Sequence, residues 1–138
     1  DLARIADMHD AMLVIDEAHA VGVYGEGGTG LAGDIGRQDN AILLRTCGKA
    51  LGGEGGLLTL PKLLREFFIN RARPFIFSTA PSPLTAHLAQ QAIAYVADNS
   101  SLQSDLSRLP GTVSPACPSA TTRTARFSRS SSAKTGWQ

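Results

Sequence analysis

Ala11-Met12-Leu13-Val14-Ile15 is an unbroken apolar run that stops abruptly on Asp16-Glu17-Ala18-His19. Five apolar residues in a row leave no polar face. Such a strand is covered on both sides, as in a parallel sheet between helices. In open sheets of this kind ligands sit beyond the carboxyl ends of the strands. Asp16 and His19 are therefore placed to meet one. The plainer reading is that Asp16 caps a turn and His19 bonds locally.

Outward from this run the pattern repeats. Asp1–His9 reads as a helix end, with Leu2, Ile5, Ala6 and Met8 apolar. The span Gly22–Gly36 holds seven glycines and reads as a loop. Ala41–Thr46 is a second strand, Gly48–Gly56 a second glycine-rich loop, and Leu57–Leu60 a short strand. Pro61 opens a helix to about Arg71, and Phe75–Phe77 reads as a short strand or extended stretch. Pro83 then opens a helix over Leu84–Ala97, and Asn99-Ser100-Ser101 marks a boundary. Apolar runs with helical stretches between them predict a parallel α/β sheet.

Composition bounds the class. Of 138 residues 43% are hydrophobic and 18% charged, the balance of a soluble globular domain. The longest apolar runs are about five residues, against the roughly 20 that a membrane span needs. Cys47 and Cys117 lie far apart in unlike contexts, which argues against a disulfide framework and for a reducing cytoplasm. The net charge of +1 hides two populations. Residues 112–138 carry four basic residues and no acid, leaving nine basic against twelve acidic residues elsewhere. The body has no basic footprint for nucleic acid. In 112–138 eleven of 27 residues are Ser or Thr. No strand or helix periodicity appears there, so the tail reads as disordered or as out of frame.

Lys49 is one of three lysines, in Thr46-Cys47-Gly48-Lys49-Ala50-Leu51-Gly52-Gly53 after the second strand. A lysine among small residues at the end of a buried strand is there for its amine. Two chemistries use an acid at one strand end and a lysine at another. A nucleotide hydrolase places Asp-Glu-Ala-His to hold Mg²⁺ and activate water, but needs a Gly-x-x-x-x-Gly-Lys-[Ser/Thr] loop. Here the sole Gly-Lys is followed by Ala50, with Leu43 in place of the first glycine. Pyridoxal phosphate chemistry needs a lysine for the Schiff base and an acid facing the protonated pyridine nitrogen. Asp16 and Lys49 suit those roles, and the hydroxyls of Thr46, Ser78 and Thr79 suit a phosphate. Cys47 reads as a small buried filler and His87 as a surface residue.

Three stretches together carry a family resemblance. Asp16–Gly22 with Tyr24-Gly25 and Gly27–Gly30, Thr46–Gly52, and Arg71–Ala80 resemble, in order and spacing, the α-oxoamine synthases. These are fold-type I pyridoxal-phosphate enzymes. Arg73-Pro74-Phe75-Ile76-Phe77-Ser78-Thr79-Ala80-Pro81 is most similar to the members acting in biotin biosynthesis; glycine-using members and the palmitoyl-transferring member share most motifs.

The resemblance implies an α/β fold, part of the large domain of such an enzyme, with a mostly parallel sheet between helices. It implies the C-terminal half of the cofactor-binding domain in 1–98, a connection into a small domain in 99–115, and a divergent tail in 116–138. It implies that Lys49 holds pyridoxal 5'-phosphate as a Schiff base and moves the substrate proton. Asp16 would pair with the pyridine nitrogen, and His19 would bond the phenolic oxygen and assist catalysis. Thr46 would bind the phosphate, with Ser78 and Thr79 supplied by the partner in a homodimer. The reaction implied joins an amino acid, L-alanine, to a pimeloyl thioester with loss of carbon dioxide. No nucleic acid, membrane or metal partner is expected. The start at Asp1 and the change near Ala116 suggest an incomplete, frameshifted copy that does not turn over alone. A degraded remnant or a binding module is the non-enzyme alternative.

Overall fold

The computed structural model of the chain describes residues 2–109 and the backbone of 122–125. The elements run α1 (Leu2–Met8), β1 (Met12–Asp16), β2 (Ala41–Thr46), β3 (Gly56–Thr59), α2 (Lys62–Arg71), α3 (Arg73–Ile76), α4 (Pro83–Asp98), α5 (Ser101–Arg108) and β4 (Thr122–Ala125). Single 3-10 turns at Glu26–Gly28 and Ile35–Arg37 interrupt the first glycine-rich loop.

β1 and β2 pair in parallel, from Leu13 opposite Ala41 to Asp16 opposite Leu44. β3 lies antiparallel on the far edge of β2, and β4 antiparallel on the far edge of β1, giving the order β3-β2-β1-β4. The α/β class is as expected, with parallel pairing confined to β1 and β2 among the described strands. β4 falls where the sequence shows no strand periodicity. The rest of the 116–138 tail, with its expected disorder or frameshift, lies outside the described residues.

The core is small and sits where β1 and β2 meet. Leu13 and Leu43 are 1% and 0% exposed, packed with Ala6, Ala11, Ile15, Ala32 and Ala41. Each such leucine contributes about 1.5–3 kcal/mol by leaving water. A second cluster joins Val21, Cys47 and Leu51 to Val96 of α4. Cys47 is thus the buried filler expected of it. The β1–β2 ladder runs past the strand ends, with Glu17 N donating to Leu44 O at 2.7 Å. This bond carries order into the residues that follow β1.

Phe75–Phe77 is not a strand: Arg73–Ile76 form the short helix α3. Aromatic and β-branched residues favour strands, but Pro74 stands in the first turn, where its fixed φ suits a helix. α4 ends at its cap Asn99, at φ −121, ψ 69, and the next helix starts at Ser101. The expected connection over 99–115 contains that helix, α5. Among the described residues no helix is long and apolar enough to cross a membrane.

Candidate active site

Asp16 ends β1, and Thr46 ends the neighbouring parallel strand β2. Because Asp16 lies level with Leu44, Thr46 stands two residues farther along. That is roughly 7 Å beyond Asp16 and one strand spacing, about 4.8 Å, to the side. Both therefore project from the carboxyl edge of the sheet, where ligands bind in such folds.

Asp16 is exposed, and its Oδ1 accepts from Ala18 N at 2.9 Å. The Asx-type turn leads to His19, three residues after Asp16 and also exposed. Ala20 N and Val21 N both return to Glu17 O, at 2.9 and 3.0 Å, which closes one helical turn around His19. After β2, Cys47 N donates to Gly55 O and Gly53 N to Cys47 O, so the second glycine-rich loop folds back on itself. Lys49 stands at its tip, and its Nζ lies 3.0 Å from His19 Nε2. Lys49 is exposed, not buried as its position after an apolar strand suggests. The loop carries it past the sheet edge, out of the core that holds Cys47.

The Thr46 hydroxyl accepts from Gly48 N at 3.3 Å and donates to Gly55 O at 3.4 Å. A donor bond that long is weak and readily exchanged for a better acceptor. A Cβ placed at Gly52 or Gly55 would meet nothing, so the loop surface here is open.

The structure thus brings Asp16, His19, Thr46 and Lys49 to one edge. It does not bring Ser78 and Thr79 there. Both are exposed between α3 and α4, and Ser78 Oγ donates locally to Phe75 O at 3.2 Å. His87, on α4, is exposed as expected.

Sequence reasoning missed Glu17. It is 1% exposed and the one charged side chain in the core among the described residues. Its Oε1 accepts from Leu31 N (2.6 Å) and Ala32 N (2.8 Å), and its Oε2 lies 3.2 Å from Arg45 Nη2. The signal was an acid directly after a covered strand, at a position whose side chain points away from Asp16.

The donor set fits pyridoxal phosphate. A primary amine faces solvent beside an imidazole, a carboxylate stands at the adjoining strand end, and a hydroxyl and an open glycine-rich backbone lie between. Among the described residues no group of His, Cys, Asp and Glu side chains is arranged to hold a metal ion.

Comparison with known proteins agrees. Residues 1–110 match the family model described as aminotransferase class I and II. The 8-amino-7-oxononanoate synthase of Anaeromyxobacter dehalogenans (strain 2CP-C) is 45% identical over 107 residues, 77% of this chain and 27% of that protein. The crystal structure of 8-amino-7-oxononanoate synthase from Francisella tularensis superposes with a TM-score of 0.65 at 27% identity, covering 78% of this chain and 32% of that one. A structure of SPT with PLP superposes with a TM-score of 0.64 at 25% identity, over 75% of this chain and 26% of that one. The chain spans about a quarter of the length of the curated relatives it matches. With an acid at one strand end, a lysine on the loop after the next strand and residues 1–110 matching one model, the chain belongs to the aminotransferase class I and II family.

Proposed function

We propose that this chain carries the lysine side of a pyridoxal-phosphate site in an α-oxoamine synthase, and that the whole protein is an 8-amino-7-oxononanoate synthase. The whole protein would join L-alanine to a pimeloyl thioester, release carbon dioxide and the thiol carrier, and leave an amino ketone for biotin synthesis. A homodimer in the cytoplasm belongs to the same reading. The relatives' names support it, and so does the similarity to a structure of SPT with PLP. The observation that carries it is Lys49 Nζ set 3.0 Å from His19 at the edge where Asp16 also ends its strand.

When bound, pyridoxal phosphate supplies the electron sink that lets a proton leave the α-carbon of an amino acid. Lys49 would hold the cofactor's carbonyl carbon and, once freed by the substrate amine, accept that proton at Nζ. His19 Nε2 stands within reach to bond the same amine or the cofactor's phenolic oxygen. The Asp16 carboxylate would face the pyridine nitrogen and favour its protonated form through opposite charge. Thr46 would turn its hydroxyl from Gly55 O to the phosphate. Ser78 and Thr79, exposed between α3 and α4, would act on the phosphate bound to a partner subunit.

A nucleotide-hydrolase reading of Asp16–His19 requires, besides an acid to hold Mg²⁺, a second carboxylate free to activate water. Glu17 offers none: it is enclosed by Arg45, Leu31 and Ala32.

The test is borohydride reduction of the chain with pyridoxal phosphate, followed by peptide mapping. The label is expected on Lys49, falling to background in Lys49→Ala and at least tenfold in Asp16→Ala. Labelling spread over Lys62 and Lys134, or unchanged in Lys49→Ala, would overturn the assignment. Glycine-using relatives are separated by substrate: in the full-length protein L-alanine, not glycine, is expected to perturb the cofactor absorbance.

A further inference from the structure

Glu17 is flanked by Asp16 and by the turn that carries His19, yet its own side chain points inward. Three backbone contacts and three side-chain contacts converge on it. Its N–H continues the ladder to Leu44 O at 2.7 Å, and its carbonyl closes the His19 turn by accepting from Ala20 N and Val21 N. Its carboxylate takes two amides of the glycine-rich loop, Leu31 N and Ala32 N, on a single oxygen. Among the described residues the other oxygen makes no hydrogen bond; what faces it is the Arg45 guanidinium at 3.2 Å.

Arg45 is equally committed. It stands one residue before Thr46 on β2 and its side chain is 14% exposed. Nη1 donates to Thr59 Oγ1 of β3 at 2.8 Å, and Nη2 donates to Thr29 O of the loop at 3.1 Å. Between them the two side chains connect β1, β2, β3 and the loop from Thr29 to Ala32. The loop is threaded closely over the carboxylate: Gly30 has φ +98, and a Cβ there would collide with Glu17.

A buried ion pair is poor evidence of net stability, because desolvating both charges offsets most of their attraction. What such a pair does hold is geometry, since either charge left alone in the core is costly. Here the held geometry is specific. Asp16 and His19 lie on either side of Glu17, and Thr46 follows Arg45, so three candidate site residues adjoin the pair in the chain.

We propose that Glu17 and Arg45 form a buried positioning pair that fixes the Asp16–His19 turn against the strand end bearing Thr46 and Lys49. Neither residue touches the reacting atoms; both act through their neighbours. The mechanical claim stands on the contacts alone. Its consequence for pyridoxal phosphate rests on the function proposed above.

The experiment compares the full 138-residue chain with Glu17→Gln, Arg45→Met, the double variant and Ser82→Ala, by amide hydrogen exchange and by borohydride labelling with pyridoxal phosphate. Ser82→Ala weakens a helix cap remote from the pair and controls for lost stability. Arg45→Met strands the carboxylate and is expected to be the more harmful single change. It should raise exchange at Ala20, Val21, Leu31 and Ala32 at least tenfold while Leu13 and Ile15 of β1 change less than twofold. Labelling of Lys49, normalised to folded protein, should fall at least fivefold. The double variant should recover part of both losses, because neither charge is then stranded. Ser82→Ala should move neither readout. Uniform loss of protection across the core, or losses that add in the double variant, would overturn the proposal. If the parent chain does not label at Lys49, the cofactor reading fails, and the exchange pattern still decides the positioning role.

Discussion

Gly22 sets the distance between the two halves of the site. It follows the His19 turn at φ +79, and a Cβ built on it would come within 2.7 Å of Ala50 Cβ, next to Lys49. Two constraints coincide there. The backbone is in the left-handed region, where a non-glycine residue costs about 1–3 kcal/mol. The added carbon also pushes against the lysine loop. Gly22→Ala is therefore expected to lower stability by about 1–3 kcal/mol in urea unfolding and to part His19 from Lys49. Loss of the nuclear Overhauser contact between their side chains would show the separation; a stable variant with that contact intact would refute it. Asp16, His19, Thr46 and Lys49 could be picked out in the sequence because polar residues after apolar runs mark strand ends. Glu17 could not, because its meaning depends on Arg45, 28 positions away, and only the parallel pairing of β1 with β2 brings them together.

Helices and strands were legible to the extent that their signals were local. Pro61 and Pro83 announce α2 and α4, and Ser82 Oγ caps α4 by accepting from Leu84 N at 3.2 Å. α3 misled because three strand-favouring side chains outweigh one proline when residues are counted singly. α5 gave no announcement, and its attachment explains why it matters. Gln103 Nε2 donates to both Val23 O and Gly25 O, at 3.0 Å each, and so fastens α5 to the loop that follows His19. The amide bridges 80 and 78 positions of sequence, a pairing that periodicity cannot report. Gln103→Leu leaves two loop carbonyls without that donor, at a cost of about 1 kcal/mol. Faster exchange at Tyr24 and Gly28 is expected, with β1 unaffected. Equal protection in parent and variant would mean that α5 does not hold the loop.

The described residues divide into a packed sheet and helices that bury little of themselves. Leu13, Leu43, Ala41 and Ala6 are almost fully enclosed, whereas α2, α3 and α5 bury no residue and α4 buries only Val96. Leu63 is 78% exposed, Phe77 77% and Leu84 64%. Large apolar side chains on several successive elements are characteristic of surfaces that meet another protein surface, and helices this short draw most of their stability from packing. The homodimer proposed above would give these faces a partner and would carry Ser78 and Thr79 to the neighbouring site. In a single chain, protection should be graded. Amides of β1 and β2 are expected to exchange slowest, and those of α2 and α3 at least a hundredfold faster. If copies pair through the helical layer, raising the chain concentration should slow α2 and α3 selectively, with a light-scattering mass rising above 14.5 kDa. The doubly charged variant Leu63→Glu with Phe77→Glu should abolish that dependence and leave β1 unchanged. Exchange in α2 as slow as in β1 at every dilution, with a constant monomer mass, would show that the helices are stable without any covering surface.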